Sequence, residues 1–244
     1  MPNMDPSAFR AELTRVFSLC GIPSPNEKQS ELFFRFAAHL AAENERYNLT
    51  AITEPRAVIL RHFADSACLA RFIPHGASLL DVGCGAGFPT LPLSIMRPDL
   101  HITAMDATKK RVDFVSGAAG LLGLTNVETV CGRAEELART NMRERFDCVT
   151  ARAVAELRVL AELCIPFLRV GGLFLSMKAK NASEELAAAQ AGIGTLGARL
   201  SAREDFCLTN GEEELSRTSL TFQKGRPTPD AYPRPYARIL KKPL

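Results

Sequence analysis

The sequence predicts an α/β fold in which a doubly wound, largely parallel sheet follows an N-terminal helical extension. From residue 78 onward, short apolar runs alternate with stretches of helical periodicity, as in chains whose parallel strands are joined by right-handed crossover helices. The apolar runs do not alternate with polar residues, which is typical of strands covered on both faces. The first third of the chain carries helical patterns alone.

The N-terminal extension is predicted to contain three helices, over residues 7–20, 26–46 and 54–73. Intervals of three and four residues place one apolar stripe on the second helix, formed by Leu32, Phe33, Phe36, Ala37 and Leu40. We expect residues 1–76 to pack as an extension on a core domain of residues 77–244, so that the chain forms one compact unit.

Seven strands are expected in the core domain. The first five are predicted at "SLLDV", "HITAMD", "VETVC", "FDCVTAR" and "GGLFLSMK". Helices are predicted beside them at residues 89–96, 108–122, 134–139, 155–168 and 183–196. The last two strands, in "ARLSAREDFCLT" and "SRTSLTFQK", are joined only by a loop around Asn210 and Gly211, which predicts a closing antiparallel hairpin.

The composition narrows the class of protein. With 46% hydrophobic and 23% charged residues it is ordinary for a globular chain. No apolar run approaches the roughly 18 residues of a membrane span, and the first residues do not resemble a secretory signal. The seven cysteines form no CxxC pair and no histidine is spaced to complete a zinc site, so no metal is expected. Free thiols, most of them in apolar runs, indicate a reducing cytoplasm.

The charge is uneven along the chain. The net charge is +3, yet from Arg217 to the end seven basic residues stand against a single acid, Asp230. Such a tail is compatible with a phosphate-rich partner, and equally with a solvated surface segment.

Three glycines follow the first predicted strand, in "LLDVGCGAGFPTLPL". Gly83, Gly85 and Gly87 form the turn into the next helix, where absent side chains let a ligand approach the backbone. A dinucleotide site has the pattern G-x-G-x-x-G, and here Phe88 occupies the third glycine position. This departure favours a ligand without a pyrophosphate, such as S-adenosyl-L-methionine. Asp81, before the loop, could face the ammonium group of that ligand directly or through water.

Acids also follow the next two strands. Asp106 ends the second strand, where its two oxygens could accept hydrogen bonds from both ribose hydroxyls. Glu135, after the third strand, could meet the exocyclic amine of adenine, as could the backbone of Ala134. Each feature is weak alone, but their order on successive strands predicts a methyl-donor site.

The sequence resembles the RsmG (GidB) family along nearly its whole length. The resemblance is carried by "NERYNLTAITEPRAVILRHFADS", "LLDVGCGAGFPTLPLSIMRPDL", "DATKKRVDF", "RAEEL", "VTARAVAEL" and "RPTPDAYPR". It implies a class I S-adenosylmethionine-dependent methyltransferase of the bacterial cytoplasm. The implied reaction converts guanine 527 of 16S ribosomal RNA to 7-methylguanosine, with S-adenosyl-L-homocysteine as the other product.

The resemblance also assigns residues to the donor site. Those that it implies are Gly83, Phe88, Asp106, Ala107, Thr108, Ala134, Glu135 and Arg152. Arg152 stands at the end of the fourth predicted strand, where donor and target base should meet, and we predict it to be catalytic. The alternative is a structural arginine paired with Asp81 or Asp106. Lys178, at the end of the fifth strand, is a second catalytic candidate.

The chemistry requires no general base. N7 of guanine carries a lone pair and no proton at neutral pH, so the enzyme has only to align nitrogen, methyl carbon and sulfur. A cytosine C5 methyltransferase would need a nucleophilic cysteine near the fourth strand, and Cys148 and Cys164 are expected to be buried. Amino-directed adenine methylation usually shows an N/D-P-P-Y/F run, where this chain reads "TARAVAEL".

Basic residues around the predicted open face are candidates for RNA contact. They are Arg61, His62, Lys109, Lys110, Arg111 and Lys178. The run from Lys109 to Arg111 is also compatible with an ordinary solvated helix face. The expected partner is 16S ribosomal RNA or the small ribosomal subunit, and we expect a monomer.

Three other functions remain compatible with the sequence. The first is a methyltransferase that acts on a different RNA base or on a small molecule. The second, a nicotinamide-dependent oxidoreductase, is disfavoured by Phe88. The third is a non-catalytic RNA-binding protein on a methyltransferase scaffold.

Overall fold

The structure, a computed structural model, describes residues 5–152, 155–179 and 181–244. Seven strands form one sheet: β1 (Ser78–Val82), β2 (His101–Asp106), β3 (Val127–Cys131), β4 (Phe146–Ala151), β5 (Leu168–Lys178), β6 (Ala198–Thr209) and β7 (Glu214–Lys224). Their spatial order is β3-β2-β1-β4-β5-β7-β6. β1 to β5 are parallel, and β7 pairs antiparallel with both β5 and β6. The predicted doubly wound sheet with a closing hairpin is confirmed.

Ten α-helical segments accompany the sheet in the described part of the chain. They are α1 (Pro6–Leu19), α2 (Glu27–Tyr47), α3 (Pro55–Val58), α4 (Asp65–Ala67), α5 (Thr90–Met96), α6 (Lys109–Leu122), α7 (Ala134–Leu137), α8 (Leu157–Cys164), α9 (Ala182–Thr195) and α10 (Tyr236–Lys241). The last helix lies in the basic tail and was not predicted. None of the helices among the described residues has the length and hydropathy needed to cross a bilayer.

The N-terminal helices begin and end where their capping residues require. The side chain of Asp5 accepts hydrogen bonds from the first turn of α1, and Asn26 and Gln29 form a reciprocal capping box at the start of α2. Asn48 ends α2 in the left-handed conformation that asparagine tolerates better than most residues. The turn that follows carries Leu49 and Thr50 toward the sheet.

The third predicted helix is irregular. Between α3 and α4, Ile59–Ala64 form a π-helix, and Cys68–Phe72 form a 3-10 helix after α4. A π-helical turn widens the backbone and often marks a functional site. The sequence pattern predicts only that this segment is helical, because runs of five or six residues are too short to reveal the different periods of the three helix types.

Helices cover both faces of the sheet, as the apolar strands predict. Leu80 and Val82 of β1 enter a core cluster with α8 and α9. A second cluster joins the N-terminal helices to α5 and α6, and within it the rings of Phe36 and Phe88 lie 5.3 Å apart. The division of the chain at residues 76 and 77 stays a prediction.

Much of the basic tail is folded into the protein, so its interpretation as a free or solvated segment is wrong there. Three of its cations pair with acids of other elements: Arg217 with Asp65, Lys224 with Glu144, and Arg234 with Glu162. Lys224 and Glu162 are fully buried. Arg238, Lys241 and Lys242 remain exposed.

The seven cysteines differ in burial. Cys68, Cys84, Cys148 and Cys164 are buried, as predicted, whereas Cys20 is half-buried and Cys131 and Cys207 are exposed. Burial raises the pKa of all four buried thiols well above the ordinary value, so these side chains stay protonated and act as apolar groups.

Candidate active site

A cavity of about 450 Å³ opens at the carboxyl ends of β1, β2 and β3, beside the end of β4. This is the edge at which doubly wound sheets bind ligands, and the volume lies in the range of small-molecule sites. The lining residues are Leu49, Val82, Gly83, Gly85, Met105, Asp106, Ala107, Thr108, Arg111, Gly132, Arg133, Ala134, Glu135, Arg152, Leu163 and Tyr236. Most of the predicted donor-site residues therefore meet around one cavity.

The glycine loop after β1 is held against the end of β2. The backbone N–H groups of Gly83 and Cys84 both donate to the carbonyl oxygen of Met105, at 2.8 and 2.9 Å. Gly85 has a φ of +54°, and a Cβ added there would meet only the carbonyl oxygen of Gly83, at 3.9 Å. Because Gly85 also lines the cavity, a side chain at this position would project into the space that a ligand needs.

Gly87 and Phe88 make packing contacts beside the cavity. A Cβ on Gly87 would lie 2.6 Å from the side chain of Leu91, so this glycine permits the loop to pack on α5. Phe88 stacks against the ring of His62 with centroids 4.3 Å apart. Neither residue is among those that line the cavity in the described part of the chain. Their predicted contact with the donor stays a prediction, which these positions do not support.

Asp81 is fully buried beneath the glycine loop. Its Oδ2 accepts a 2.6 Å hydrogen bond from the hydroxyl of Thr90, while its Oδ1 has no partner among the described residues. Burial raises the pKa of this carboxyl to about 7. A buried carboxylate oxygen without a donor is costly, and an ammonium group or a water molecule would satisfy it. Asp81 is not part of the cavity lining, which favours contact through water.

Asp106 ends β2 and is almost completely buried. Its Oδ2 accepts from the N–H of Gly85 at 3.1 Å, and its Oδ1 accepts from the N–H of Thr108 at 2.8 Å. Arg111 of α6 lies 3.5 Å from the same carboxylate. Each oxygen keeps a further lone pair, so Asp106 can both hold the loop and accept hydrogen bonds from a ligand.

The segment after β3 forms another wall of the cavity. Ala134 and Glu135 begin α7, and Arg133 lies 3.5 Å from the carboxylate of Glu135. A Cβ on Gly132 would lie 2.8 Å from the side chain of Leu137, so a larger residue here would require that leucine to move. The turn presents the backbone of Ala134 and the carboxylate of Glu135 to the cavity, as expected for contacts with an adenine edge.

Arg152 follows β4 directly and lines the cavity. The alternative of an ion pair with Asp81 or Asp106 is wrong: its Nη1 lies 3.2 Å from Oδ2 of Asp65 in α4. Asp65 also accepts a 2.6 Å hydrogen bond from Nε of Arg217 in β7. The guanidinium is therefore anchored from the N-terminal part of the chain while it faces the cavity.

Lys178 is placed away from the cavity lining. Its Nζ pairs with Glu185 of α9 at 2.8 Å and donates to the carbonyl oxygen of Ala155 at 3.4 Å, and the residue is buried. These contacts make Lys178 a connection between β5 and α9. Its predicted catalytic and RNA-binding roles stay predictions that these contacts do not support.

The other candidates for RNA contact differ in their surroundings. Arg61 pairs with Glu213 at 2.6 Å, and Lys109 pairs with Asp113. Lys110 lies 4.4 Å over the ring of Tyr47. Only Arg111 of this group also lines the cavity in the described ranges.

His62 is buried in the π-helix, contrary to the prediction of a residue on the open face. Burial, followed by the charge of Arg152, lowers the pKa of its ring to about 3. At neutral pH His62 is therefore an uncharged interior group rather than a cation that faces RNA.

The sequence did not indicate five apolar or aromatic residues of the cavity lining, which are Leu49, Val82, Met105, Leu163 and Tyr236. Leu49 follows α2, Leu163 lies on α8, and Tyr236 begins α10. Tyr236 is an aromatic residue within an otherwise basic tail, and this was the one available signal. Leu49 and Leu163 look like ordinary apolar residues in sequence, because nothing local shows that the chain returns them to the sheet edge.

The fold and the cavity define a class I S-adenosylmethionine-dependent methyltransferase. The strand order with its closing hairpin, the glycine loop after β1 and the acid that ends β2 are the features of that class. The residues present also fit the cofactor, since Gly85 leaves open space, Asp81 has an unpartnered oxygen and Asp106 has free lone pairs.

The chain belongs to the GidB family, whose model, described as rRNA small subunit methyltransferase G, matches residues 29–211. It is 40% identical over 247 aligned residues to ribosomal RNA small subunit methyltransferase G of Lactobacillus acidophilus, an alignment that covers 99% of this chain and 100% of the relative. The relative of the same name in Geobacillus thermodenitrificans is 45% identical over 215 residues, 87% of this chain and 90% of its own. The family prediction, with S-adenosyl-L-methionine as its cofactor, is confirmed.

Solved structures show the same fold at low sequence identity. The [4+2]-cyclase SpnF has a TM-score of 0.57 at 16% identity, over 82% of this chain and 98% of that one. TYW2 of M. jannaschii, solved in complex with AdoMet, has a TM-score of 0.51 at 15% identity, over 66% of this chain and 74% of that one.

Proposed function

We propose that this protein transfers a methyl group from S-adenosyl-L-methionine to N7 of guanine 527 in 16S ribosomal RNA. The observation that carries the proposal is the cavity itself, in which Gly85, Asp106, Glu135 and Arg152 converge from the ends of four parallel strands. The family supports ribosomal RNA of the small subunit as the substrate class. The residues that line the cavity support a methyl transfer that needs no general base. The protein would act as a monomer in the cytoplasm.

The donor would be held by residues at the ends of the first three strands. Gly83 and Gly85 line the space that would take its amino-acid part, and Asp81 would balance its ammonium charge through water. Asp106 would accept hydrogen bonds from the ribose hydroxyls, and Glu135 would accept one from the amine of adenine. When bound, this cofactor supplies an electrophilic methyl group on a cationic sulfur.

The lining fits a reaction that needs alignment and no proton transfer. Guanine N7 has a free lone pair, so no residue must remove a proton before it attacks. His62 has a lowered pKa but lies behind Arg152, outside the lining residues of the described ranges. The four buried cysteines are protonated and packed in the core, which is consistent with a mechanism without a covalent enzyme intermediate.

Arg152 is the residue best placed to orient the target base. Three of its five N–H groups have acceptors among the described residues, namely Asp65, His62 and the carbonyl oxygen of Arg61. The other two are available to a substrate. Guanine presents O6 and N7 as acceptors on one edge. An arginine that donates to O6 would leave the lone pair of N7 free to meet the methyl carbon.

The RNA would approach from the open side of the cavity. Arg111 and Arg133 line it and are more than half exposed, at 55% and 56% of their side-chain surface. Their positive charge suits the phosphates of an RNA chain, and such contacts weaken as salt concentration rises.

The test is to map the methyl group in the RNA. Ribosomal RNA would be isolated from cells that lack the gene, and from the same cells complemented with the wild type, with Arg152→Met or with Arg203→Met. N7-methylguanine is detected by strand scission after mild reduction and aniline treatment. We expect the modification at guanine 527 with the wild type and with Arg203→Met, because Arg203 lies on the edge strand β6. Arg152→Met should lose it.

Two results would overturn the proposal. A methyl group on a different base would identify this protein as a methyltransferase with another target. RNA that stays unmodified with the wild type, although the purified protein binds it, would identify a binding protein on a methyltransferase scaffold.

A further inference from the structure

Arg152 is fixed by a hydrogen-bonded group that the sequence did not indicate. Its Nη1 contacts Oδ2 of Asp65 at 3.2 Å and the carbonyl oxygen of Arg61 at 3.3 Å. Its Nη2 lies 3.3 Å from Nδ1 of His62. The guanidinium also lies over the ring of Phe88, 5.0 Å from the centroid. Hydrogen-bond acceptors and an aromatic ring therefore both orient the guanidinium group of Arg152.

The chemistry of arginine determines the tautomer of His62. A guanidinium can only donate hydrogen bonds, so Nδ1 of His62 must be the acceptor and carries no proton. A neutral imidazole then has its single N–H at Nε2. That nitrogen lies 2.9 Å from Oγ1 of Thr50, which accepts the hydrogen bond. The low pKa of His62, caused first by burial and then by the charge of Arg152, agrees with an uncharged ring.

Thr50 connects this group to α2 and to the segment that follows it. Its backbone is held on both sides by the side chain of Asn44, at 2.8 Å to Oδ1 and 3.0 Å from Nδ2. The preceding residue, Leu49, lines the cavity. The contacts therefore run from one lining residue, Leu49, through Thr50 and His62 to another lining residue, Arg152.

We propose that His62 is a positioning residue for Arg152. As a neutral ring with its proton on Nε2, it holds the guanidinium toward the cavity, and Thr50 holds the ring. Stacking on Phe88 keeps the plane of the imidazole fixed. The proposal deepens the function proposed above and rests on it, because it assigns to this site a group that orients the base-binding arginine without touching the substrate.

The first test reads the tautomer directly and does not depend on activity. Nitrogen NMR of the uniformly labelled protein at neutral pH distinguishes the two neutral tautomers and the cation, and the signals that vanish in His62→Phe belong to this ring. We expect protonation at Nε2 and a bare Nδ1. A proton on Nδ1, or a cationic ring, would overturn the proposal.

The second test separates positioning from packing. His62→Phe keeps an aromatic ring against Phe88 but removes both hydrogen bonds. Thr50→Val keeps the shape of Thr50 and removes its hydroxyl, whereas Thr50→Ser restores it. We expect kcat for RNA methylation to fall about 10- to 100-fold in the first two variants, with the Kd for S-adenosylhomocysteine changed by less than about twofold. Thr50→Ser should recover most of the loss.

A double variant shows whether the two residues act together. Because Thr50 is proposed to act through His62, the variant Thr50→Val/His62→Phe should be no slower than His62→Phe alone. Independent, multiplied losses would contradict this, as would a kcat for His62→Phe within twofold of the wild type. If the wild type itself did not methylate guanine, the proposed function would fail, and the NMR result would still decide the contact between His62 and Arg152.

Discussion

Buried charged groups in the C-terminal tail and those near the cavity differ in how many of their hydrogen bonds are made within the protein. In the tail, Arg234 meets both carboxylate oxygens of Glu162 at 2.6 to 3.1 Å, and Glu162 is fully buried. Next to the cavity, among the described residues, Asp81 keeps an oxygen without a partner and Arg152 keeps two unused N–H groups. The pair in the tail stabilises the fold, whereas Arg152 lines the cavity and its unused N–H groups are available to a ligand.

The same difference shows that a basic tail is not by itself a sign of RNA binding, although Arg238, Lys241 and Lys242 stay exposed. Three of its cations already neutralise acids inside the protein, so they are not free to meet phosphates. Two of the cations that line the cavity, Arg111 and Arg133, lie in the first turn of α6 and directly before α7. A count of charges in the sequence does not distinguish cations that pair with buried acids from cations that line the cavity. The partners seen in the structure do distinguish them.

The largest effect, on the stability of the fold, is expected when the buried ion pair between Arg234 and Glu162 is broken. Arg234→Met leaves Glu162 charged and buried without its guanidinium, which should lower the free energy of unfolding by about 3–5 kcal/mol. Urea unfolding followed by circular dichroism measures it. Arg238→Met, an exposed position in the same tail, should change stability by less than about 0.5 kcal/mol.

The pair can also be replaced as a whole. Arg234→Met/Glu162→Leu removes both charges and should recover most of the lost stability. A stability within about 1 kcal/mol of the wild type for Arg234→Met alone would mean that the tail pair is no more structural than a surface contact.

At the cavity, Gly85→Val should abolish binding of S-adenosylhomocysteine while the fold survives. The new side chain would enter open space beside the cavity, and we expect at least a 100-fold weaker Kd, about 2.7 kcal/mol, by calorimetry. Gly123→Val is the matched control, because Gly123 also has a positive φ, of +68°, and open space around its Cβ, at the end of α6. Retained micromolar affinity in Gly85→Val would exclude the loop from the donor site.

Asp106→Ala should weaken the same ligand by about 1–3 kcal/mol, or roughly 5- to 150-fold, because charged hydrogen bonds to the ribose are lost. The loop contact with the N–H of Gly85 is lost as well. Asp113→Ala, an exposed aspartate on α6, is the control and should leave the Kd unchanged. An unchanged Kd for Asp106→Ala would remove this residue from the ribose site.

The smallest effect concerns pH. The pKa of Asp81 is raised to about 7 by burial, so its carboxyl is mostly protonated below pH 7 in the free protein. An ammonium ligand favours the ionised form, and its affinity should therefore fall about fivefold between pH 7 and pH 6. Calorimetry with S-adenosylhomocysteine from pH 5.5 to 8 measures this slope. Asp81→Asn should flatten it, and an equal slope in that variant would assign the titration to another group.

The fold was largely predictable because its determinants are local. The bounds of β1, β2 and β3 agree with the predicted runs "SLLDV", "HITAMD" and "VETVC". Apolar segments bounded by turns can be recognised as strands even when the neighbouring strands in the sheet are not known. The cavity was predictable for a related reason. Strand-end residues such as Asp106 and Arg152 meet at one edge in any parallel sheet.

Contacts between distant segments could not be predicted. Gly85 and Gly87 look equivalent in sequence, yet one borders the cavity and the other packs against Leu91. His62 appeared to be a surface cation, because the pattern does not show that a π-helix turns it toward Arg152. Tyr236 reaches the cavity only because α10 packs beside α8.

The most direct test of this account is a crystal structure of the protein with S-adenosylhomocysteine. We expect the ligand in the cavity at the ends of β1, β2 and β3, with its ribose hydroxyls on Asp106 and its adenine beside Ala134 and Glu135. A ligand bound elsewhere, or a cavity that stays empty at saturating ligand concentration, would contradict the account.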